Sequence, residues 1–154
     1  MIEEQLKLSN QICFPMYAVS RLLTKTYKPY LEAIDLTYPQ YLVMMVLWET
    51  DGIPVKEISA KLILESNTLT PLLKRLEQKG LLQRSRSQSD ERTVIIQLTK
   101  AGQDLQTQAA HIPFQITSHL NTDNISLQQL LQVKEILNTW ITQLTDPQSP
   151  PHTS

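Results

Sequence analysis

The residues from Ser66 to Leu98 (SNTLTPLLKRLEQKGLLQRSRSQSDERTVIIQL) constrain this chain most, because their period changes partway along. Leu69, Leu72, Leu73 and Leu76 recur at i, i+3, i+4 and i+7, which is one face of an α-helix. Ser66 or Asn67 is suited to cap its start, and Gly80 to end it. Beyond Gly80 the helical spacing disappears. Leu82 to Ser87 and Thr93 to Leu98 read as two short strands around a charged tip, Gln88-Ser89-Asp90-Glu91-Arg92. Upstream, Val55 to Leu62 predicts a short helix with Ile58 and Leu62 facing inward and Leu64-Glu65 as the turn.

A helix-turn-helix followed at once by a basic-tipped hairpin is the pattern of a winged helix-turn-helix. The second helix of such a unit enters the DNA major groove, and the hairpin reaches toward the backbone or minor groove. The charge distribution fits this. Net charge is only -1, but Lys56 to Lys100 holds nine Lys/Arg against five Asp/Glu, a local +4 that leaves -5 for the rest. A basic centre in an acidic scaffold suits a DNA-facing surface. The expected fold class is mainly α (α+β), with the winged core at about 53–100.

Long apolar helices are expected on both sides of that core. Ser9 to about Tyr27 forms the first; Pro15 belongs in a first turn, so regular helix starts near Cys13 to Pro15, and Pro29 ends or bends it. Thr37 and Gln40 have capping-box spacing ahead of YLVMMVL, a helix apolar on most sides. Ile53-Pro54 is a candidate edge strand. Thr99 caps a helix from about Lys100 to His119, with Ala101, Leu105, Ala109 and Ile112 as its stripe and a kink at Pro113. Asn121 to Asn124 is a loop, and Ser126 with Gln129 caps a final helix, Leu127 to Leu144. Residues 1–145 therefore read as one domain, with dimerisation helices at about 9–30 and 100–145 and a disordered Pro/Ser-rich tail at 146–154. The two apolar helices suit packing within one chain or, as the favoured reading, the interface of a homodimer that reads a palindrome.

At this level of detail the sequence resembles a family. LTYPQYLVMMVLWE, NTLTPLLKRLEQKGLLQR and SDERTVIIQLTKAG are similar to the MarR family of winged-helix transcription regulators. NQICFPMYAVSRLL, with its cysteine at position 13, narrows the resemblance to the organic-hydroperoxide-resistance (OhrR) branch, over about residues 9–110. The resemblance implies a redox-sensing repressor that leaves an inverted-repeat operator in double-stranded DNA when organic hydroperoxide oxidises Cys13. It implies that Tyr27 and Tyr38, 14 and 25 residues after Cys13, reach in from the partner subunit to hydrogen-bond the sulfur. It implies DNA contacts from Ser66, Asn67, Thr68, Thr70, Pro71, Lys74 and Arg75 on the recognition helix, and from Asp90 and Arg92 on the wing. One subgroup carries a second cysteine near its C-terminus; this chain has one cysteine only, so it resembles the one-cysteine type.

Chemistry supports the same residues independently. Thiolate is the form that peroxide oxidises, and helix N-termini and hydrogen-bond donors favour thiolate over thiol. Alone, Cys13 is as readily a small buried hydrophobe, and the two tyrosines packing residues. Tyr17, Tyr30 and Tyr41 are assigned to packing or surface. Arg84 and Arg86 adjoin the tip on one strand and make DNA contact the better reading for Arg92, with Asp90 orienting it through a charge-assisted hydrogen bond. With no second thiol in the chain, a sulfenic acid at Cys13 is expected to persist, to condense with a backbone nitrogen, to accept a low-molecular-weight thiol or to over-oxidise to sulfinic acid.

Other functions fit less well. Gly52, Gly80 and Gly102 are too scattered for a phosphate-cradling loop, and His111, His119 and His152 lack metal-ligand spacing, so no cofactor and no metal are expected. No apolar run is long enough for a membrane, and the acidic N-terminus is unlike a signal peptide; a cytoplasmic protein is expected. The alternatives are a MarR-type regulator of a phenolic or drug-like ligand, a broader thiol-based regulator and, remotely, a thiol peroxidase.

Overall fold

The computed structural model describes residues 3–121 and 124–146. The chain divides into two compact units, Met1–Ile112 and Pro113–Ser154. The first contains α1 (Cys13–Glu32), α2 (Tyr38–Glu49), β1 (Ile53–Pro54), α3 (Val55–Leu62), α4 (Ser66–Gln78), β2 (Leu82–Arg86), β3 (Val94–Leu98) and α5 (Lys100–Ala109). α6 (Ile112–Leu120) starts at the boundary, and α7 (Leu127–Thr145) lies in the second unit. Part of the expected loop at 121–124, and the tail from residue 147, fall outside the described residues.

α2 is the axis of the core. Thr37 and Gln40 make both hydrogen bonds of a capping box, and Pro39 sits in the first turn. Tyr41, Val43, Met44, Val46 and Leu47 are all buried, so over these two turns the helix is covered on most sides and Met45 alone is exposed. Ile58 of α3, Leu69, Leu73 and Leu76 of α4, Leu82 of β2 and Ile96 of β3 complete the buried set. The sheet has the order β1-β3-β2, all antiparallel, with Ile53 opposite Ile96 and Leu82 opposite Leu98. Pro54 is on the edge strand, where its missing N–H costs no ladder bond. Asp51 ties the sheet to the end of α2: its Oδ1 accepts from the Leu98 and Gly52 N–H groups, each at 2.8 Å.

α4 ends in a Schellman closure. Gly80 has φ +72°, its N–H bonds the Glu77 carbonyl, and the Leu81 N–H bonds the Leu76 carbonyl. α3 closes the same way, but the left-handed position is held by Ile63 at φ 55°. A β-branched residue there is strained. Ile63 is 54% exposed, so little packing compensates. Ile63→Gly is expected to stabilise the fold by about 1 kcal/mol, read as a higher denaturation midpoint. An unchanged or lower midpoint contradicts the assignment of strain.

Five expectations need correction. Pro29 does not end α1, which runs to Glu32. It lies in the last turns, where the donor it lacks would have bonded the carbonyl of exposed Lys25, and buried Leu31 anchors the turn beyond. Neither Ser66 nor Asn67 caps α4: Glu65 is the N-cap without a side-chain bond, and Ser66 is already helical. Leu62 is half-buried rather than fully inward. The helix after Thr99 breaks at Ala110-His111, ahead of Pro113, into α5 and α6, and Ala101 is exposed while Gly102, Leu105 and Ala109 are buried. Gly102 leads that stripe because α5 meets the start of the wing too closely for any side chain.

In the second unit, Ser126 and Gln129 form the expected capping box of α7. α7 buries no residue, and Leu127, Leu131, Val133, Ile136, Leu137, Ile141 and Leu144 are all exposed.

Candidate DNA interface and thiol sensor

The winged core gathers basic groups around one groove of about 380 Å³ between α4 and the wing, lined by Lys56, Ser66, Thr70, Arg84 and Arg92 among others. α4 buries Leu69, Leu73 and Leu76 and so turns Ser66, Asn67, Thr68, Thr70, Pro71, Lys74 and Arg75 outward, all exposed. The hydroxyl of Thr70 bonds back to the Ser66 carbonyl at 2.7 Å, on the turn where Pro71 supplies no N–H. Lys56, Lys74, Arg75, Arg86 and Arg92 have no carboxylate partner among the described residues, so their charges remain available. Lys56 was not singled out in the sequence beyond its charge; its position in the first turn of α3, directly after an edge strand, is the signal that could have found it.

Arg84 differs. Its Nε and Nη2 both reach Oε2 of Glu77, at 2.8 and 2.6 Å. The side-chain hydrogen bond from Arg84 holds the Glu77 carboxyl below its usual value. Arg84 thus fastens β2 to the last turn of α4, even though it also lines the groove. Asp90 differs from expectation too. Its Oδ1 accepts from the Arg92 backbone N–H at 3.0 Å and its Oδ2 from the Thr93 hydroxyl at 2.9 Å. It shapes the tip through these bonds to the backbone and to Thr93.

Cys13 is the first residue of α1 and is exposed. Tyr27 lies 14 residues further along the same helix, which at 1.5 Å per residue is about 21 Å away. Thiol and phenol of one chain therefore cannot meet. Tyr27 and Tyr38 do meet, with ring centroids 4.7 Å apart, and Tyr41 adds a third ring 6.0 Å from Tyr27. Tyr41, buried as expected of a packing residue, thus joins the aromatic cluster. Burial, then the neighbouring Tyr38 and Tyr41, pushes the Tyr27 phenol up to about 12; burial also raises Tyr38 and Tyr41. All three remain proton donors at neutral pH.

These shifts carry a stability consequence. The folded chain holds these phenolic protons more tightly than the unfolded chain, whose phenols titrate near 10. The contribution of Tyr27 is complete below pH 10 and is lost as pH rises through about 12. Tyrosinate absorbance should show Tyr27 ionising last, with unfolding accompanying it. Ionisation of all five tyrosines together at the ordinary value contradicts this cluster.

Among the described residues no group of His, Cys, Asp and Glu is placed to hold a metal ion, and no helix is long and apolar enough to cross a membrane.

Known proteins share this architecture. The SarA/Rot transcriptional regulator family matches residues 25–108, over half of the chain. The chain is 47% identical over 136 residues to the organic hydroperoxide resistance transcriptional regulator of Bacillus subtilis, covering 88% of this chain and 90% of that one. It is 41% identical to reduced AbfR bound to DNA, with a TM-score of 0.78, covering 95% of this chain and 100% of that one. AbfR, from Staphylococcus epidermidis, also has an overoxidised form bound to DNA (39%, TM-score 0.74, 94% and 100% covered) and a disulfide form (40%, TM-score 0.64, 93% and 96% covered). With its winged fold and single cysteine, the chain belongs to the MarR-type winged-helix transcription regulators, in the organic-hydroperoxide-resistance branch.

Proposed function

We propose that this chain is a redox-sensing, DNA-binding transcription regulator that acts as a homodimer, repressing from an inverted-repeat operator until organic hydroperoxide oxidises Cys13. The strongest support is the placement of the thiol. Cys13 is exposed at one end of α1, while Tyr27, whose ring packs against Tyr38 of α2, lies about 21 Å along that helix. A sensor built from these groups requires two subunits, with Tyr27 and Tyr38 of one donating hydrogen bonds to Cys13 of the other. The unpartnered apolar faces of α1 and α7, including Val19, Leu22, Ile136 and Ile141, supply the surface for such a dimer.

On DNA, α4 would present Ser66, Asn67, Thr68, Thr70, Pro71, Lys74 and Arg75 to the major groove, and Arg86 and Arg92 would reach the flanking backbone or minor groove. Asp90 acts by shaping the tip, and Arg84 by fixing the wing to α4. The protein is a signal carrier and not an enzyme, since one oxidation of Cys13 changes its state. The sulfenic acid has no resolving thiol in its own chain, so it accepts a low-molecular-weight thiol or is oxidised further. AbfR exists on DNA in an overoxidised form and separately as a disulfide, which favours a bulky disulfide over a small oxidised sulfur as the releasing product.

Binding should require half-sites about one helical turn apart and weaken log-linearly with salt. Arg92→Ala should lose about 1–3 kcal/mol of operator affinity if the wing touches DNA. Equal affinity for this variant and the parent across several salt concentrations refutes the wing assignment. Titrating operator binding against an alkyl hydroperoxide and against a salicylate-like ligand tests the function as a whole. Release by the ligand alone overturns the redox mechanism.

A further inference from the structure

A second groove, of about 410 Å³, runs along α1 to the start of α2. Arg21, Lys25 and Lys28 line it at i, i+4 and i+7, so they stand in one row along α1. Leu31 and Leu36, both buried, contribute its apolar lining, and Tyr38 joins it to the aromatic pair described above. Lys28 pairs with Glu32 at 3.6 Å, and Arg21 stands 5.5 Å from the centroid of the Tyr17 ring. Lys25 has no carboxylate partner among the described residues. Three cations against Glu32 leave the groove positive, over an apolar lining.

A neutral ligand would use only the apolar part of this groove, and a small hydrophilic anion only its cations. A ligand with an apolar body and a terminal carboxylate uses both. We propose that Arg21, Lys25 and Lys28 form a carboxylate subsite that makes the Cys13 sensor favour hydroperoxides bearing a free carboxylate over neutral ones. The inference rests on the proposed function, because Tyr38 is what connects this groove to Cys13 of the partner subunit.

The carboxylate takes no part in the chemistry. The Cys13 thiolate attacks the terminal oxygen of the hydroperoxide; an S–O bond forms and the O–O bond breaks. The sulfur loses two electrons and becomes a sulfenic acid. The leaving alkoxide takes a proton from water and departs as the alcohol. The subsite acts on encounter and orientation alone, so it changes the relative rates of two substrates that share one reacting group.

The test uses the full-length protein and a matched pair: a long-chain fatty-acid hydroperoxide and its methyl ester, both below their micelle concentrations. The rate of Cys13 oxidation is followed by trapping the sulfenic acid and weighing the chain. The acid should react roughly tenfold faster than the ester at low salt, with the ratio shrinking as salt rises. Lys25→Gln should move the ratio toward one, Lys25→Glu should invert it, and Lys25→Arg should preserve it. Using a ratio keeps the result independent of any general change in thiol reactivity. A ratio of one in the parent protein, or one that no Lys25 variant alters, overturns the subsite while leaving Cys13 as the sensor. A Cys13 that neither hydroperoxide oxidises overturns the sensor and the subsite together.

Discussion

Cys13→Ser is expected to bind operator as tightly as the reduced parent and to stay bound under hydroperoxide together with a low-molecular-weight thiol, a mixture that removes the parent completely. The substitution keeps a small polar side chain at the first position of α1, on an exposed site, so folding and the DNA surface should be untouched. It removes the only sulfur that can form a sulfenic acid or disulfide; the methionines oxidise without forming either. The change is therefore all-or-none in response and neutral in affinity. Side-by-side operator titrations with the thiol present, with and without hydroperoxide, measure it. A serine variant that hydroperoxide still releases means that another group senses the oxidant.

The second large effect is on stability. Gly102→Ala should cost on the order of 3 kcal/mol, at the upper end for inserting a methyl group into a packed site. A Cβ at this position would stand 2.0 Å from the Leu81 carbonyl oxygen and 3.2 Å from Leu98 Cδ2. The first is backbone, held by the Thr99 N–H at 3.1 Å, and cannot swing aside as a side chain can. Moving α5 away would break the bond from Trp48 Nε1 to the Gly102 carbonyl, 2.9 Å long, which ties α5 to α2. Denaturant unfolding should show a much lower midpoint. A loss under about 0.5 kcal/mol, the range of ordinary surface changes, would mean the contact relaxes easily.

The winged core was legible in the sequence because each of its parts announces itself locally. The leucine spacing of α4, the capping box of α2, the edge proline of β1 and Gly80 after α4 each have one favoured structural use, and the structure has all of them. Where reading failed, tertiary contact decided. Pro29 argued for a helix end, but burial of Leu31 carries α1 one turn past it. Ala101 fitted the apolar stripe of α5 as well as Gly102 did, and only the approach of the Leu81 carbonyl selects the glycine. Arg84 looked like a free wing cation until the chain reversed at Gly80 and set it against Glu77. The sensing residues were legible through resemblance and not through spacing, since Cys13 and Tyr27 never approach each other within one chain.

The central claim is that covalent change at Cys13 is what releases DNA. Fluorescence anisotropy of a labelled operator duplex, recorded while alkyl hydroperoxide is added with a low-molecular-weight thiol present, tests it directly. The mass of the intact chain is taken at every point. Loss of bound DNA should track the fraction of chains carrying a mixed disulfide at Cys13, and reductant should restore both together. DNA that departs while the chain mass is unchanged would contradict the account, as would DNA that stays on fully capped protein.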